Sequence, residues 1–271
     1  MSLIKIYGER NTGTNYLEQL ISANFGPVLY PGNQPIHRRA LYRTVHLCFP
    51  DALAFRTVER LRDRWEFANF ETSLGWKHAQ VPCVPEGSRY PKNIGFVTMT
   101  KNPFAWLVSL YRRPYQNARL GTRPGQESRR DTVSFLEFLE SPWETVGREF
   151  GPQAYETPID MWNRKTRAYL ALQKLGPHLH LRYEDLLSDT LKTLASIERM
   201  FNLARSADEL ADIDKDVKGS SKSKEDYRLA YTQHHWRRRY SSEERSFAEE
   251  RLDPELMNQL EYTFEPCTEH T

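Results

Sequence analysis

The chain has 271 residues, and its 38 Lys and Arg against 36 Asp and Glu leave a formal net charge of +2. Hydrophobic residues make up 39% and aromatics 12%, enough for a large core, so a disordered chain is excluded. The near-balance of charge argues against a nucleic-acid coat or a membrane-surface binder, and any anion site must be a local cluster.

Taken in chain order, Met1 to Tyr7 shows no basic n-region and no small-residue cleavage site, so no targeting segment is expected there. Leu3-Ile4-Lys5-Ile6-Tyr7 reads as a short strand, Gly8 to Gly13 as a turn, and Tyr16, Leu17, Leu20 and Ile21 repeat at helical spacing. A second strand is predicted at Ile94–Thr100. Asn102-Pro103 then supplies an N-cap and a first helical residue for a helix carrying Trp106, Leu107, Leu110 and Tyr111. The longest apolar run, Ala105–Leu110 with Ser109 inside it, is too short to span a bilayer. Arg112 to Tyr155, rich in Arg, Gly and Pro, reads as a long excursion or lid.

Trp162, Tyr169, Leu172 and Leu175 form a helical stripe expected in the core. A third strand is predicted at Leu179–Tyr183. One long amphipathic helix should follow over Leu186–Phe201, with Leu187, Leu191, Leu194, Ile197 and Phe201 facing inward. Trp236-Arg237-Arg238-Arg239-Tyr240 reads as a solvated face. The three cysteines, Cys48, Cys83 and Cys267, form no CxxC pair. That pattern suits a reducing compartment and gives no zinc signal. A soluble cytoplasmic protein is expected, folded as one domain over 1–271 with a helical, basic tail over about 218–264. Three strand-to-helix units imply a parallel sheet with helices on both faces, and ligands beyond the carboxyl ends of its strands.

Gly8-Glu9-Arg10-Asn11-Thr12-Gly13-Thr14-Asn15 sits between strand and helix, where backbone amides and a helix N-terminus make an anion cradle. Its glycines are spaced as in a nucleoside-triphosphate P-loop. Thr14-Asn15, however, stands where that loop has Lys and then Ser or Thr, so the γ-phosphate clamp and a magnesium ligand are missing. On this loop alone an ordinary β–α turn is an equal reading. Lys101 with Ser109 suits one anion, although alone the pair reads as a capped helix with a solvated lysine.

Together the two segments resemble the paired signatures of 3′-phosphoadenosine 5′-phosphosulfate (PAPS)-dependent sulfotransferases, of bacterial type. Asn11-Thr12-Gly13-Thr14-Asn15 is similar to the family's 5′-phosphosulfate loop, and Lys101-Asn102-Pro103 with Ser109 to its 3′-phosphate segment. Leu181-Arg182-Tyr183-Glu184-Asp185-Leu186-Leu187 with Asp189 resembles its RYEDLL-x-DP stretch. The tail from Tyr227 and Tyr231 to Leu260-Glu261-Tyr262-Thr263-Phe264 resembles its closing helix and end. The resemblance spans residues 4 to 264. It implies a three-layer, P-loop-like α/β sandwich and PAPS as donor, with no metal.

The resemblance also implies site residues. Asn11 stands where the family loop most often has Lys, so Arg10 beside it takes the cationic role on the phosphosulfate. Lys101 stands where the 3′-phosphate segment usually has Arg, keeping the charge but losing the bidentate fork. Lys218, Lys222 and Lys224 are candidates for the basic C-terminal loop that closes the family's cofactor site. Gly75-Trp76-Lys77-His78-Ala79-Gln80-Val81-Pro82 resembles the K-x-H-x-P stretch, with one residue deleted between Lys and His. His78 is then the base that removes the acceptor's proton, and Lys77 neutralises charge on the leaving bridge oxygen. The alternative for His78 is a satisfied structural histidine, with Glu9 and Glu71 as backup bases. Arg112-Arg113 and Arg129-Arg130, flanking Tyr115, suggest an anionic or glycan acceptor. The competing readings of the chain are a P-loop kinase and a non-catalytic nucleotide or glycan binder.

Overall fold

The computed structural model describes residues 3–30, 51–82, 89–112, 133–213 and 224–264, with Thr44, Leu47 and Gly87. Its first half contains β1 (Leu3–Gly8), α1 (Thr14–Phe25), α2 (Asp51–Ala68), α3 (Phe70–Ser73), β2 (Ile94–Thr100) and α4 (Pro103–Arg112). There follow α5 (Phe135–Glu140), β3 (Trp143–Glu144), β4 (Ala154–Tyr155), α6 (Pro158–Ala171), β5 (His178–Arg182), α7 (Tyr183–Ser188) and α8 (Thr190–Phe201). The C-terminal part carries α9 (Lys224–Thr232), α10 (Ser242–Arg251) and α11 (Pro254–Gln259).

Every residue of β2 is buried, which fits the central strand of a sheet covered on both faces. The sheet runs β1–β2–β5, all parallel, with Leu3 opposite Ile94 and Phe96 opposite His178. A parallel bridge from Ile4 to Leu29 extends it beyond β1, with Ile4 N donating to Val28 O at 2.8 Å. Alternation sorts the side chains. Ile4, Ile6, Val97 and Met99 pack with Leu17 and Leu20 of α1 and Leu194 and Ile197 of α8. Tyr7 and Phe96 point to the other face, with Phe70, Tyr169 and Leu172. Those are the three expected layers. A third cluster gathers around Trp106, Trp143, Trp162 and Trp236, where α4, α5, α6, α10 and α11 meet.

Four expectations change. The single helix over Leu186–Phe201 is two helices, α7 and α8. Asp189 between them leaves helical geometry, at φ −146° and ψ 84°, and its carboxylate caps α8 by accepting from Lys192 N at 2.9 Å. Leu191, in the first turn after that break, is 48% exposed rather than inward. Leu175 is 43% exposed because α6 ends at Ala171 and gives way to a tighter turn, Leu172–Lys174. Trp236-Tyr240 is a solvated face only in part: Arg238 and Arg239 are exposed, but Trp236 is buried and stacks on Phe104, with centroids 5.7 Å apart and rings 5° from parallel. Of the excursion, residues 113–132 lie outside the described residues, as do Lys218, Lys222 and the three cysteines. Residues 133–155 are built from α5 and the β3–β4 pair, with Phe138, Trp143 and Tyr155 buried. Among the described residues no helix is long and apolar enough to cross a membrane.

Candidate active site

The site is organised by the loop from Gly8 to Asn15. All four carbonyls at its start accept from the protein. Gly8 O receives His78 Nδ1 at 2.5 Å, and Glu9 O receives the Thr12 hydroxyl at 2.5 Å and amide at 3.2 Å. Arg10 O receives Trp106 Nε1 at 2.8 Å, and Asn11 O receives Lys101 Nζ at 3.3 Å. Asn11 at φ 66° and Gly13 at φ 87° make the turn into α1. Gly13 is required twice over: it takes a left-handed conformation, and a Cβ there would lie 2.5 Å from the Tyr183 ring. No side chain caps α1 and its first turn holds no acidic residue. The amides that head a helix have no intrahelical acceptor, so Thr14 and Asn15 offer donors at the positive end of the helix dipole.

On one side of the loop lies a buried cation. Lys101 is 2% exposed, and its Nζ donates to Ser109 Oγ at 3.1 Å as well as to Asn11 O. Asn11 Nδ2 donates in turn to Ser109 O at 3.4 Å. The turn that carries Lys101 is fixed from three directions. Trp162 Nε1 donates to Lys101 O at 3.2 Å, Asn102 Oδ1 accepts from Phe104 N at 3.1 Å, and Glu184 Oε1 accepts from Asn102 N at 3.0 Å. Two rings wall the ammonium, Tyr231 at 3.7 Å and Tyr183 at 4.9 Å from their centroids.

On the other side the segment after α3 runs past the loop, with Gly8 N donating to Lys77 O at 2.9 Å. Lys77 Nζ reaches Asn15 Oδ1 and pairs with Glu18 at 2.7 Å, so a cation stands over the first two turns of α1. His78 is partly buried. A carbonyl can only accept, so the contact to Gly8 O puts the ring proton on Nδ1 and leaves the lone pair on Nε2. Burial first, then the charges of Arg10 and Lys77, hold the imidazole well below the usual histidine pKa, so it is neutral at pH 7.

Beneath His78 lies a buried ionic network. Lys165 Nζ donates to Glu9 at 2.6 Å, to Glu149 at 2.7 Å and to His78 O at 2.9 Å. Glu149 also accepts from Arg10 at 3.0 Å. Burial pushes the Glu149 carboxyl up, but Lys165 and Arg10 outweigh it and hold the group below the usual carboxylate range. The Arg10 guanidinium also lies over the Trp76 ring at 4.7 Å.

The fold thus brings Asn11, Thr12, Gly13, Lys101 and Ser109 into one cluster, and Thr14, Asn15, Lys77 and His78 into its neighbour. Arg10, the cation expected on a phosphosulfate, is held by Glu149 and Trp76; the cation at the head of α1 is Lys77 instead. Glu9 is neutralised by Lys165, and Glu71 is exposed on α3. Residues the sequence did not single out are Glu149 and Lys165, and Tyr183 and Tyr231 as the walls of Lys101. Tyr183 carried a signal, since it follows a strand directly and faces the loop glycine.

No family model and no curated protein matches the chain by sequence. Solved structures do match. The mouse sulfotransferase SULT7A1 complexed with PAP superimposes with a TM-score of 0.54 at 15% identity, over 97% of this chain and 89% of that one. The sulfotransferase domain from the curacin biosynthetic pathway gives 0.44 at 14% identity, over 97% of this chain and 99% of that one. The sulfotransferase domain from the Synechococcus PCC 7002 olefin synthase gives 0.44 at 14% identity, over 92% and 94%. The chain has the α/β fold seen in the first of these, and at such identities the likeness concerns the fold alone.

Proposed function

We propose that the chain is a sulfotransferase, which moves a sulfuryl group from PAPS to an acceptor hydroxyl or amine. One observation carries this reading. The single loop Gly8–Asn15 holds a buried cation–hydroxyl pair, Lys101 with Ser109, through Asn11, and a neutral histidine with a free lone pair through Gly8. A donor with phosphates at both ends of a ribose and a reaction in which the acceptor gives up one proton match that pairing.

In this reading Lys101 and Ser109 receive the 3′-phosphate, while the amides at the head of α1 and Lys77 receive the 5′-phosphosulfate. The acceptor O–H or N–H lies at His78 Nε2. As its oxygen or nitrogen bonds to sulfur, the bond from sulfur to the bridging oxygen breaks. The acceptor's proton passes to Nε2, and PAP leaves with the electron pair. Lys77 opposes the charge that builds on the bridging oxygen. Lys165, held by Glu149, fixes the backbone carbonyl of His78, and neither residue is placed on the reacting atoms.

PAP at a hundred times its dissociation constant, without metal, should raise the melting temperature by about 5 °C, from the roughly 2.7 kcal/mol such occupancy contributes. A differential scanning fluorimetry series checks it. A shift that appears only with Mg·ATP contradicts the proposal and favours a kinase.

A further inference from the structure

The donor reading meets a difficulty in the unliganded chain, because Lys101 is already satisfied. An ammonium has three N–H donors. One goes to Asn11 O at 3.3 Å, one to Ser109 Oγ at 3.1 Å, and the third side of Nζ is covered by the Tyr231 ring at 3.7 Å from its centroid. The two oxygen partners belong to the loop and to α4, both fixed in the core. Tyr231 is different. It stands at the penultimate position of α9 and is only partly buried, and its hydroxyl meets Ser109 Oγ at 3.3 Å. Its other ring contact is edge-on to Tyr183, with centroids 5.1 Å apart. Electrostatics bears out the closeness of ring and cation. Burial raises the Tyr231 phenol, and Lys101 with Ser109 outweighs burial and holds it below the usual tyrosine value.

Resting on the donor reading, we propose that Tyr231 occupies the 3′-phosphate subsite of the unliganded chain: its ring covers the face of Lys101 that the phosphate takes. The 3′-phosphate must then displace the ring, which a side-chain rotation at the end of a helix permits without moving the sheet or the loop. A nucleotide with no 3′-phosphate gains nothing from that displacement, so Tyr231 stays on Lys101 and the subsite stays shut. The ring is thus a barrier that only a nucleotide with a 3′-phosphate meets. Its cost falls on the correct donor, in proportion to the strength of the cation–π contact that is given up.

The test compares the full chain as wild type, Tyr231→Phe and Tyr231→Leu. Leu fills the space with no π face, and Phe keeps the ring while losing the hydroxyl. Dissociation constants are measured by calorimetry for PAP and for adenosine 5′-phosphosulfate, which lacks the 3′-phosphate. Tyr231→Leu should bind PAP about threefold to thirtyfold more tightly than wild type, the span a cation–π contact covers. Tyr231→Phe should stay closer to wild type, and adenosine 5′-phosphosulfate should change by less than twofold in all three. PAP binding in Tyr231→Leu that is unchanged or weaker, with wild-type binding intact, overturns the role of Tyr231 and leaves the donor reading standing. Absence of PAP binding in all three proteins, each with a normal melt, overturns the donor reading and this inference with it.

Discussion

His78→Ala should lower kcat by roughly two to four orders of magnitude, the usual worth of a positioned base, and leave the dissociation constant of PAP unchanged. Both halves follow from geometry. The Gly8 carbonyl at 2.5 Å holds the Nδ1 proton, so Nε2 is the nitrogen available to the acceptor, and the donor's cations, Lys101 and Lys77, are untouched by the substitution. The pH profile carries a further expectation. The active form is the neutral one, and burial with Arg10 and Lys77 lowers the pKa. The neutral form therefore persists to lower pH, and the acid limb of kcat lies below the reference histidine value of about 6.5. Steady-state kinetics between pH 5 and 8 on wild type and His78→Ala, with PAP affinity measured alongside, decides it. Near wild-type turnover in His78→Ala, or an acid limb at or above about 6.5, contradicts the assignment.

Lys165→Ala is the second large effect, and it is on stability. Its ammonium spends all three donors on Glu9, Glu149 and the His78 carbonyl, at 2.6, 2.7 and 2.9 Å, and the side chain is 1% exposed. Removing it leaves two carboxylates in the interior, Glu149 paired with the Arg10 guanidinium and Glu9 bonded to the neutral Arg10 backbone amide. Breaking a buried pair from one side costs about 3–5 kcal/mol, because the remaining charge is uncompensated. Urea unfolding should show that loss as a lower midpoint at unchanged slope. A loss under about 1 kcal/mol would mean that water or Arg10 already neutralises the carboxylates. The role of the network in positioning His78 would then fall away.

The parts of the site legible in the sequence are those whose logic is local. Gly8 to Asn15 could be read because two glycines bracket a strand-to-helix turn, and Lys101 with Ser109 because eight residues separate them across a proline-started helix. The parts that stayed hidden depend on distance along the chain. Lys165 meets Glu9 across 156 positions, and only the stacking of α6 beneath the loop brings them together. Lys165 sits in a helical pattern that reads as amphipathic, so nothing in its neighbours marks it as buried. Arg10 was assigned by adjacency to the loop, but a buried carboxylate 139 positions away claims it. Trp236 to Tyr240 shows the opposite failure. A run of arginines between aromatics looks solvated, yet Phe104 and Phe264 supply a ring pocket that only the folded tail completes. The break at Asp189 leaves no mark in the sequence pattern, because Leu186 to Phe201 keeps a helical period through it and the cap is one carboxylate.

In the proposed reaction the Lys101 side of the loop receives the 3′-phosphate of the donor. Calorimetric titration of PAP and of adenosine 5′-phosphosulfate, without metal, into wild type and Lys101→Ala tests it most directly. Charge-assisted hydrogen bonds are worth about 1.5–3 kcal/mol. PAP should therefore bind Lys101→Ala about ten- to a hundredfold more weakly, with adenosine 5′-phosphosulfate within twofold of wild type and Ser109→Ala following the same pattern. Equal losses for the two nucleotides, or a wild-type chain that binds no PAP, would contradict the account.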